Sequence, residues 1–137
     1  MKPKTLIQKL VDKLARREHA SLELMQWCRV RGYPEQEIHE AIKLCQEKGY
    51  QSDLRFAEMW ICHRQEQGYG KLRIQQELHA KGIDHAIIVE LDEHWINPCL
   101  LLSRLVSKNN RTGDSLKRWL FQRGFALKDI ESVMSID

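Results

Sequence analysis

The side chains that could carry chemistry are few and scattered. Cys28, Cys45, Cys62 and Cys99, with six histidines, are the groups a metal site or a thiol catalyst would draw on. No two cysteines stand at the C-x-x-C spacing of a zinc or redox motif. Cys62 and His63 are adjacent, so on a helix they point about 100° apart and cannot easily share one ion. No metal site and no cofactor are expected, and the cysteines read as reduced, buried thiols. Gly68-Tyr69-Gly70-Lys71 lacks the G-x-x-x-x-G-K-[ST] spacing that cradles a phosphate. None of Ser21, Ser52, Ser103, Ser107, Ser115, Ser132 or Ser135 sits in a nucleophile-elbow motif. Glu35, Glu37, Glu40 and Glu47 fall at solvent-facing positions of a helical pattern rather than in pairs suited to acid–base work. No catalytic residue is assigned, and an enzyme is not expected.

Basic side chains are both abundant and grouped. Arg55, Arg64, Lys71 and Arg73 surround the Gly68-Tyr69-Gly70 joint, and a second cluster holds Arg104, Lys108, Arg111, Lys117, Arg118 and Arg123. Around Leu116, Lys117 and Arg118 project sideways or outward, where an anion can reach them, while Arg123 reads as a helix cap. Residues 1–31 carry eight Lys and Arg against three acids, residues 32–93 seven against twelve, and residues 94–137 seven against four. The net charge is only +3, but this basic–acidic–basic layout suits an anionic partner touched at both ends, or a large protein of mixed charge. The expected partner-contacting residues are Arg55, Arg64, Lys71, Arg73, Arg104, Lys108, Arg111, Lys117 and Arg118.

The elements that must position these charges repeat along the chain. Leu24 to Tyr33, Ile74 to Ile83 and Leu116 to Phe125 align on Gly32, Gly82 and Gly124, each preceded by a basic residue and followed by a large apolar one. Six residues past each glycine stands Ile38, Ile88 or Ile130, followed by apolar residues at helical spacing. A cation in the last turn favours the negative end of a helix, and glycine just beyond supplies the left-handed cap. Pro34 reads as a first-turn residue of the next helix and Asp84 as a cap. The glycines lie 50 and then 42 residues apart. A helix pair fills only about 25 to 28 residues, so each interval holds a further helix. Leu54–Gln67, with its Phe56, Ala57, Trp60, Ile61 stripe, and Pro98–Ser107, with Leu101, Leu102 and Leu105, fill those places, and Thr5–Glu18 precedes the first pair.

The expected fold is therefore all-α: an elongated, curved array of three tandem three-helix repeats, spanning 1–50, 51–93 and 94–137. Units too small to close a core alone stack on neighbours and present extended surfaces. A helix–Gly-turn–helix also resembles a DNA-reading motif, but the second helices, such as Glu35-Gln36-Glu37-Ile38-His39-Glu40, are acidic or apolar and would repel phosphates. Trp27, Trp60 and Trp119 lie on apolar helix faces, where core packing explains them better than base stacking, and Trp95 sits at a break before Pro98. The chain is 42% apolar and 30% charged with mean hydropathy −0.53, which places it among soluble folded proteins. Its apolar run Cys99 to Leu102 ends at Ser103 and Arg104, far short of a membrane span. The lysines of the first segment stand where an export signal would carry its apolar core, so a cytoplasmic location is expected, and since nothing in the sequence demands self-association, so is a monomer.

Arg55-Phe56-Ala57-Glu58, then Gly68-Tyr69-Gly70, then Arg73-Ile74-x-x-Glu77-Leu78-x-x-Lys81-Gly82-Ile83 resembles the signature of the RecX family of bacterial recombinase regulators. In that family a proline often follows the second glycine, where this chain has Lys71, which gives up some rigidity at the helix start and adds charge. The detailed match runs from Arg55 to Ile83, while the flanking repeats agree with the family's tandem three-helix organisation. The resemblance implies a partner, the RecA protein and its filament on single-stranded DNA, in whose groove family members lie to limit assembly or activity without catalysis of their own. Direct weak DNA contact by the basic clusters fits the same picture. A helical nucleic-acid-binding module acting without RecA is the alternative.

Overall fold

The computed structural model describes residues 2–135. The three aligned glycines adopt the left-handed backbone that residues with a Cβ resist, with φ of 82° at Gly32, 77° at Gly82 and 100° at Gly124. At each, the amide of the next residue reaches back to a carbonyl five residues earlier: Tyr33 to Cys28, Ile83 to Leu78 and Phe125 to Leu120. The apolar residue after the glycine is thereby folded onto the helix it has left. The same closure, not singled out by the repeat, recurs at Gly49 and Gly68, where the Tyr50 and Tyr69 amides bond to the Cys45 and Arg64 carbonyls.

Between these stops run nine α-helices, and no strand occurs among the described residues. They are α1 (Leu6–Arg16), α2 (Ser21–Val30), α3 (Glu35–Glu47), α4 (Asp53–Glu66), α5 (Lys71–Ala80), α6 (His85–Glu90), α7 (Pro98–Lys108), α8 (Gly113–Gln122) and α9 (Leu127–Met134), with a 3-10 turn at Asp92–His94 after α6. Side chains start several of them. Thr5 and Gln8 exchange hydrogen bonds in a capping box before α1, Ser52 accepts from the Arg55 amide, and Asp84 accepts from the Ala86 amide as expected of a cap. Pro34 departs from the expectation by one position: it is the extended residue before α3, and Glu35 opens the helix. Pro98 does hold the first position of α7, with Asn97 capping it.

The helices pack in threes. Leu6, Leu10, Leu24, Cys28, Ile38, Ile42 and Cys45 form one core from α1–α3. Phe56, Ala57, Ile61, Ile74, Leu78, Ile83, Ile88 and Leu91 form a second, joined by Ala20 from the preceding turn. Leu101, Leu102, Leu116, Leu120, Phe125 and Ile130 form a third from α7–α9. Burial of each large side chain contributes roughly 1.5–3 kcal/mol, so each cluster holds its own unit. The accessible surface, 8,906 Å², exceeds the roughly 7,400 Å² of a compact monomer of this size, as it must when three small cores replace one. The fold is an elongated array of helical repeats.

Candidate partner-binding surface

Two joints fix how the units present their charges. At the first, Asp53 at the start of α4 caps the preceding unit: its Oδ1 accepts from the Ser21 amide at 2.8 Å and its Oδ2 from the Ser21 hydroxyl at 3.1 Å. Buried Gln51 donates to the His19 carbonyl and to Asp53, and Arg55 pairs with Glu18 at 3.0 Å. Leu22 of α2 lies against the Gly82 turn, where a methyl group would come within 2.9 Å of it.

At the second joint the C-terminal end of α8 meets the N-terminal end of α5. The Gly70 amide donates to the Arg123 carbonyl at 2.7 Å and the Leu72 amide to the Gly124 carbonyl at 3.1 Å, while Arg73 Nη1 donates to the Gln122 carbonyl at 3.1 Å. Orphan amides of one helix thus satisfy orphan carbonyls of another, with opposite dipole ends in contact. Arg123 returns the exchange. Its guanidinium donates to the Gly68 and Gln67 carbonyls, so it is a cap as expected, but of α4 rather than of its own helix. The Tyr69 ring is held among Arg64, Arg73 and Arg123, at 3.8, 4.5 and 4.1 Å from its centroid.

Beside this joint, the middle unit's cations converge on one carboxylate. Arg64 makes a two-pronged pair with Glu77 at 3.0 and 2.7 Å, its side chain only 15% exposed, and donates to Gln67 as well. Trp60 Nε1 also donates to Glu77, and Arg73 stands 3.5 Å from it. Burial would raise the Glu77 carboxyl pKa, but hydrogen bonds from Arg64 and Trp60 and the charges of Arg64 and Arg73 outweigh it and hold the pKa below the usual carboxylate value. Sequence reasoning placed Glu77 in a motif without seeing this role. The signal was the repeat alignment, which sets Glu77 where the other units have Trp27 and Trp119.

Around that position the three units share one device. Arg31 covers Trp27 at 3.9 Å and Arg123 covers Trp119 at 4.6 Å; in the middle unit Lys81 covers Trp60, supplied by α4 instead, at 4.6 Å. All three indoles pack against their cores and are half-buried, each with a cation over one face. Trp95 carries Lys71 at 5.4 Å. Stacking faces for nucleobases are therefore already occupied.

The expected contact residues separate into two groups. Arg55, Arg64 and Arg73 are bound to partners within the chain, and Lys71 lies 3.6 Å from Asp92 with both side chains well exposed. In the C-terminal unit, Arg104, Lys108, Lys117 and Arg118 have no carboxylate within salt-bridge reach among the described residues. Arg104 and Lys108, on α7, edge a groove of about 310 Å³ with Gln65, Glu66, Gly68, Ile96, Leu101 and Leu105. Arg111 lies over Trp119 at 5.1 Å in the loop before α8, Lys117 is half-buried on α8, and Arg118 is exposed. Among the described residues no group of three or more His, Cys, Asp or Glu stands close enough to hold a metal ion, and no helix is long and apolar enough to cross a membrane.

Comparison with known proteins agrees with this architecture. A family model described as RecX, second three-helix domain, matches residues 52–90. A protein of Legionella pneumophila named regulatory protein RecX is 36% identical over 124 residues, covering 82% of this chain and 81% of that one. A Vibrio vulnificus protein of the same name is 31% identical over 138 residues, covering 91% and 88%, and one from Pasteurella multocida is 44% identical over 85 residues, covering 61% and 52%. A crystal structure of regulatory protein RecX superposes with a TM-score of 0.80 at 17% identity, over 95% of this chain and 71% of that one, and shares the helical repeat fold.

Proposed function

Because this chain belongs to the RecX family of regulatory proteins, we propose that it is a non-catalytic regulator that binds the RecA recombinase and its nucleoprotein filament in the cytoplasm and inhibits ATP hydrolysis and strand exchange. We read it as three modules, 1–50, 51–93 and 94–137, joined in an extended body that spans neighbouring protomers. Several modest contacts made at once then give avidity. Bridged protomers are hindered from completing ATP-linked movements or from adding subunits.

The observation that carries the reading is the division of the basic residues. Arg55 and Arg73 of the middle unit hold the joints and Arg64 is paired with Glu77, whereas Arg104, Lys108, Lys117 and Arg118 have no acidic partner among the described residues, and Arg111 lies beside them in the chain. In this reading the C-terminal cluster, with exposed Lys71 beside the second joint, faces the anionic interior of the filament. Arg73 acts by fixing the angle between the middle and last units, and Arg64 by holding α4 to α5 through Glu77.

The same unpaired cations favour one second reading, a nucleic-acid-binding helical module that acts without RecA. Fluorescence anisotropy separates the two. A RecA regulator binds RecA–single-stranded DNA filaments much more tightly than DNA alone. A DNA module binds bare DNA tightly with a steep salt dependence, a log–log slope near about −3.5 if five phosphates are neutralised on single strands. Preference for bare DNA overturns the RecA reading.

A further inference from the structure

The groove of about 310 Å³ that runs between the end of α4 and the flank of α7 has an apolar floor. Leu101 is buried there, Leu105 is half-buried, and Ile96 is left 39% exposed. Gly68 closes one side. Its left-handed backbone, with φ of 87°, brings the α4 terminus so near α7 that a methyl group on it would stand 3.0 Å from Leu105 Cδ2. Arg104 and Lys108, both exposed and one turn apart on α7, edge the groove, and Glu66 of α4 also lines it. We propose that this groove receives an acidic protein segment. One apolar side chain of the segment enters against Ile96, Leu101 and Leu105, and carboxylates flanking it pair with Arg104 and Lys108.

Charge complementarity selects that occupant. Two cations four residues apart on a helix repel each other. No carboxylate among the described residues stands within salt-bridge reach of either, Glu66 included. A partner's carboxylate relieves the repulsion at a place where this chain supplies none.

The lining selects a protein side chain over a nucleobase. The amide of buried Gln65 is already committed, donating to the His94 carbonyl at 3.0 Å and accepting from the Ile96 amide at 2.9 Å. Among the described residues no aromatic ring lines the groove. A base would therefore bury its polar edges without partners and find nothing to stack on. An apolar side chain has no such edges and gains from the aliphatic floor. The volume lies at the low end of the roughly 300–1,000 Å³ of ligand clefts, room for one or two side chains.

The inference deepens the proposed function by naming what two of the C-terminal cations meet. It rests on that reading only for the partner being a protein, since the chemistry of the groove does not depend on RecA.

The test is NMR of the full ¹⁵N-labelled chain titrated with the capped peptide Glu-Glu-Leu-Phe-Glu-Glu. No RecA is present, so this test and the proposed function fail separately. The amides of Ile96, Leu101 and Leu105 should shift together, with saturation near or below about 1 mM peptide. Replacing the Leu-Phe anchor by Ser-Ser should weaken binding at least about tenfold. Arg104→Gln with Lys108→Gln should weaken it about fivefold, while the control pair Lys43→Gln with Lys48→Gln leaves it unchanged. All four side chains are exposed, and circular dichroism verifies that the variants fold. Absence of these shifts, or shifts centred elsewhere, overturns the proposal. So does equal binding of the Ser-Ser peptide, full affinity in the Arg104 and Lys108 variant, or tighter binding of a short oligo(dT) to the same amides.

Discussion

Gly70 and Gly124 meet backbone to backbone. The Gly70 amide donates to the carbonyl just before Gly124, and a methyl group on Gly70 would stand 2.5 Å from the Gly124 oxygen. A methyl group on Gly124 would in turn collide with the Cβ and backbone nitrogen of Arg73. No flexible side chain can yield there, because both obstacles are fixed by helix ends. Gly70→Ala should therefore cost about 2 kcal/mol or more, and Gly124→Ala, which adds backbone strain at φ 100°, about 3 kcal/mol. Gly49→Ala is the comparison: φ is 74° but the space is open, so about 1 kcal/mol is expected. Urea denaturation of the three variants measures the order.

Glu77→Gln should destabilise the protein by about 2 kcal/mol, because it leaves the half-enclosed Arg64 charge without its carboxylate. The pH dependence has a definite sign. The folded pKa of Glu77 is depressed, so its stabilisation is fully present above the unfolded carboxylate value and is lost as pH falls through the folded value. Acid unfolding should begin at higher pH when Arg64 is replaced by Gln, since the carboxyl then loses the group that holds it ionised. Denaturant midpoints between about pH 3 and 7 test this.

His19 is 5% exposed, and its Nδ1 lies 3.0 Å from the Arg17 carbonyl oxygen. Burial, aided by the charges of Arg17 and Lys13, lowers its pKa from the ordinary 6.5, against the opposing pull of the Arg17 carbonyl and Glu23. A depressed histidine stabilises the fold above its unfolded pKa and loses that contribution as pH drops through the folded one. An NMR titration should show the His19 ring charging only below the ordinary 6.5. A His19 midpoint at or above 6.5 would contradict the burial argument.

The cysteines should divide by burial. Desolvation pushes the Cys28 and Cys45 thiols up, and both lie inside the first core. Iodoacetamide at pH 8 should label exposed Cys62 first and half-exposed Cys99 next, with Cys28 and Cys45 reacting only after denaturant is added. Peptide mass analysis reads the order.

What was legible in the sequence was whatever depends on near neighbours. Helical spacing, a cation in the last turn and glycine beyond it are local signals, and they located the three helices given bounds to within two residues, as at Asp53–Glu66 against an expected Leu54–Gln67. The contacts made far along the chain were not legible. Arg123 looks like a cap from its position, but nothing within its own segment says that it caps α4, 55 residues earlier. Arg64 reads as surface charge because Glu77 and the Tyr69 ring meet it only once α4 and α5 are packed together, and Arg73 reaches the Gln122 carbonyl only once the middle and last units are joined. Gly70 read only as part of a joint, whereas it is required by close backbone approach. That Lys117 and Arg118 are free to meet an anion was the easier inference, since it follows from their place beside Leu116 on one helix.

The central claim is tested most directly by titrating this protein into RecA hydrolysing ATP on single-stranded DNA, beside a variant with Arg104, Lys108, Arg111, Lys117 and Arg118 changed to Gln. The account predicts inhibition by the wild-type chain at stoichiometric levels and inhibition weakened several-fold in the variant. Equal inhibition by both would contradict the assignment of the C-terminal cluster. Unchanged hydrolysis with the wild-type chain would contradict the function itself.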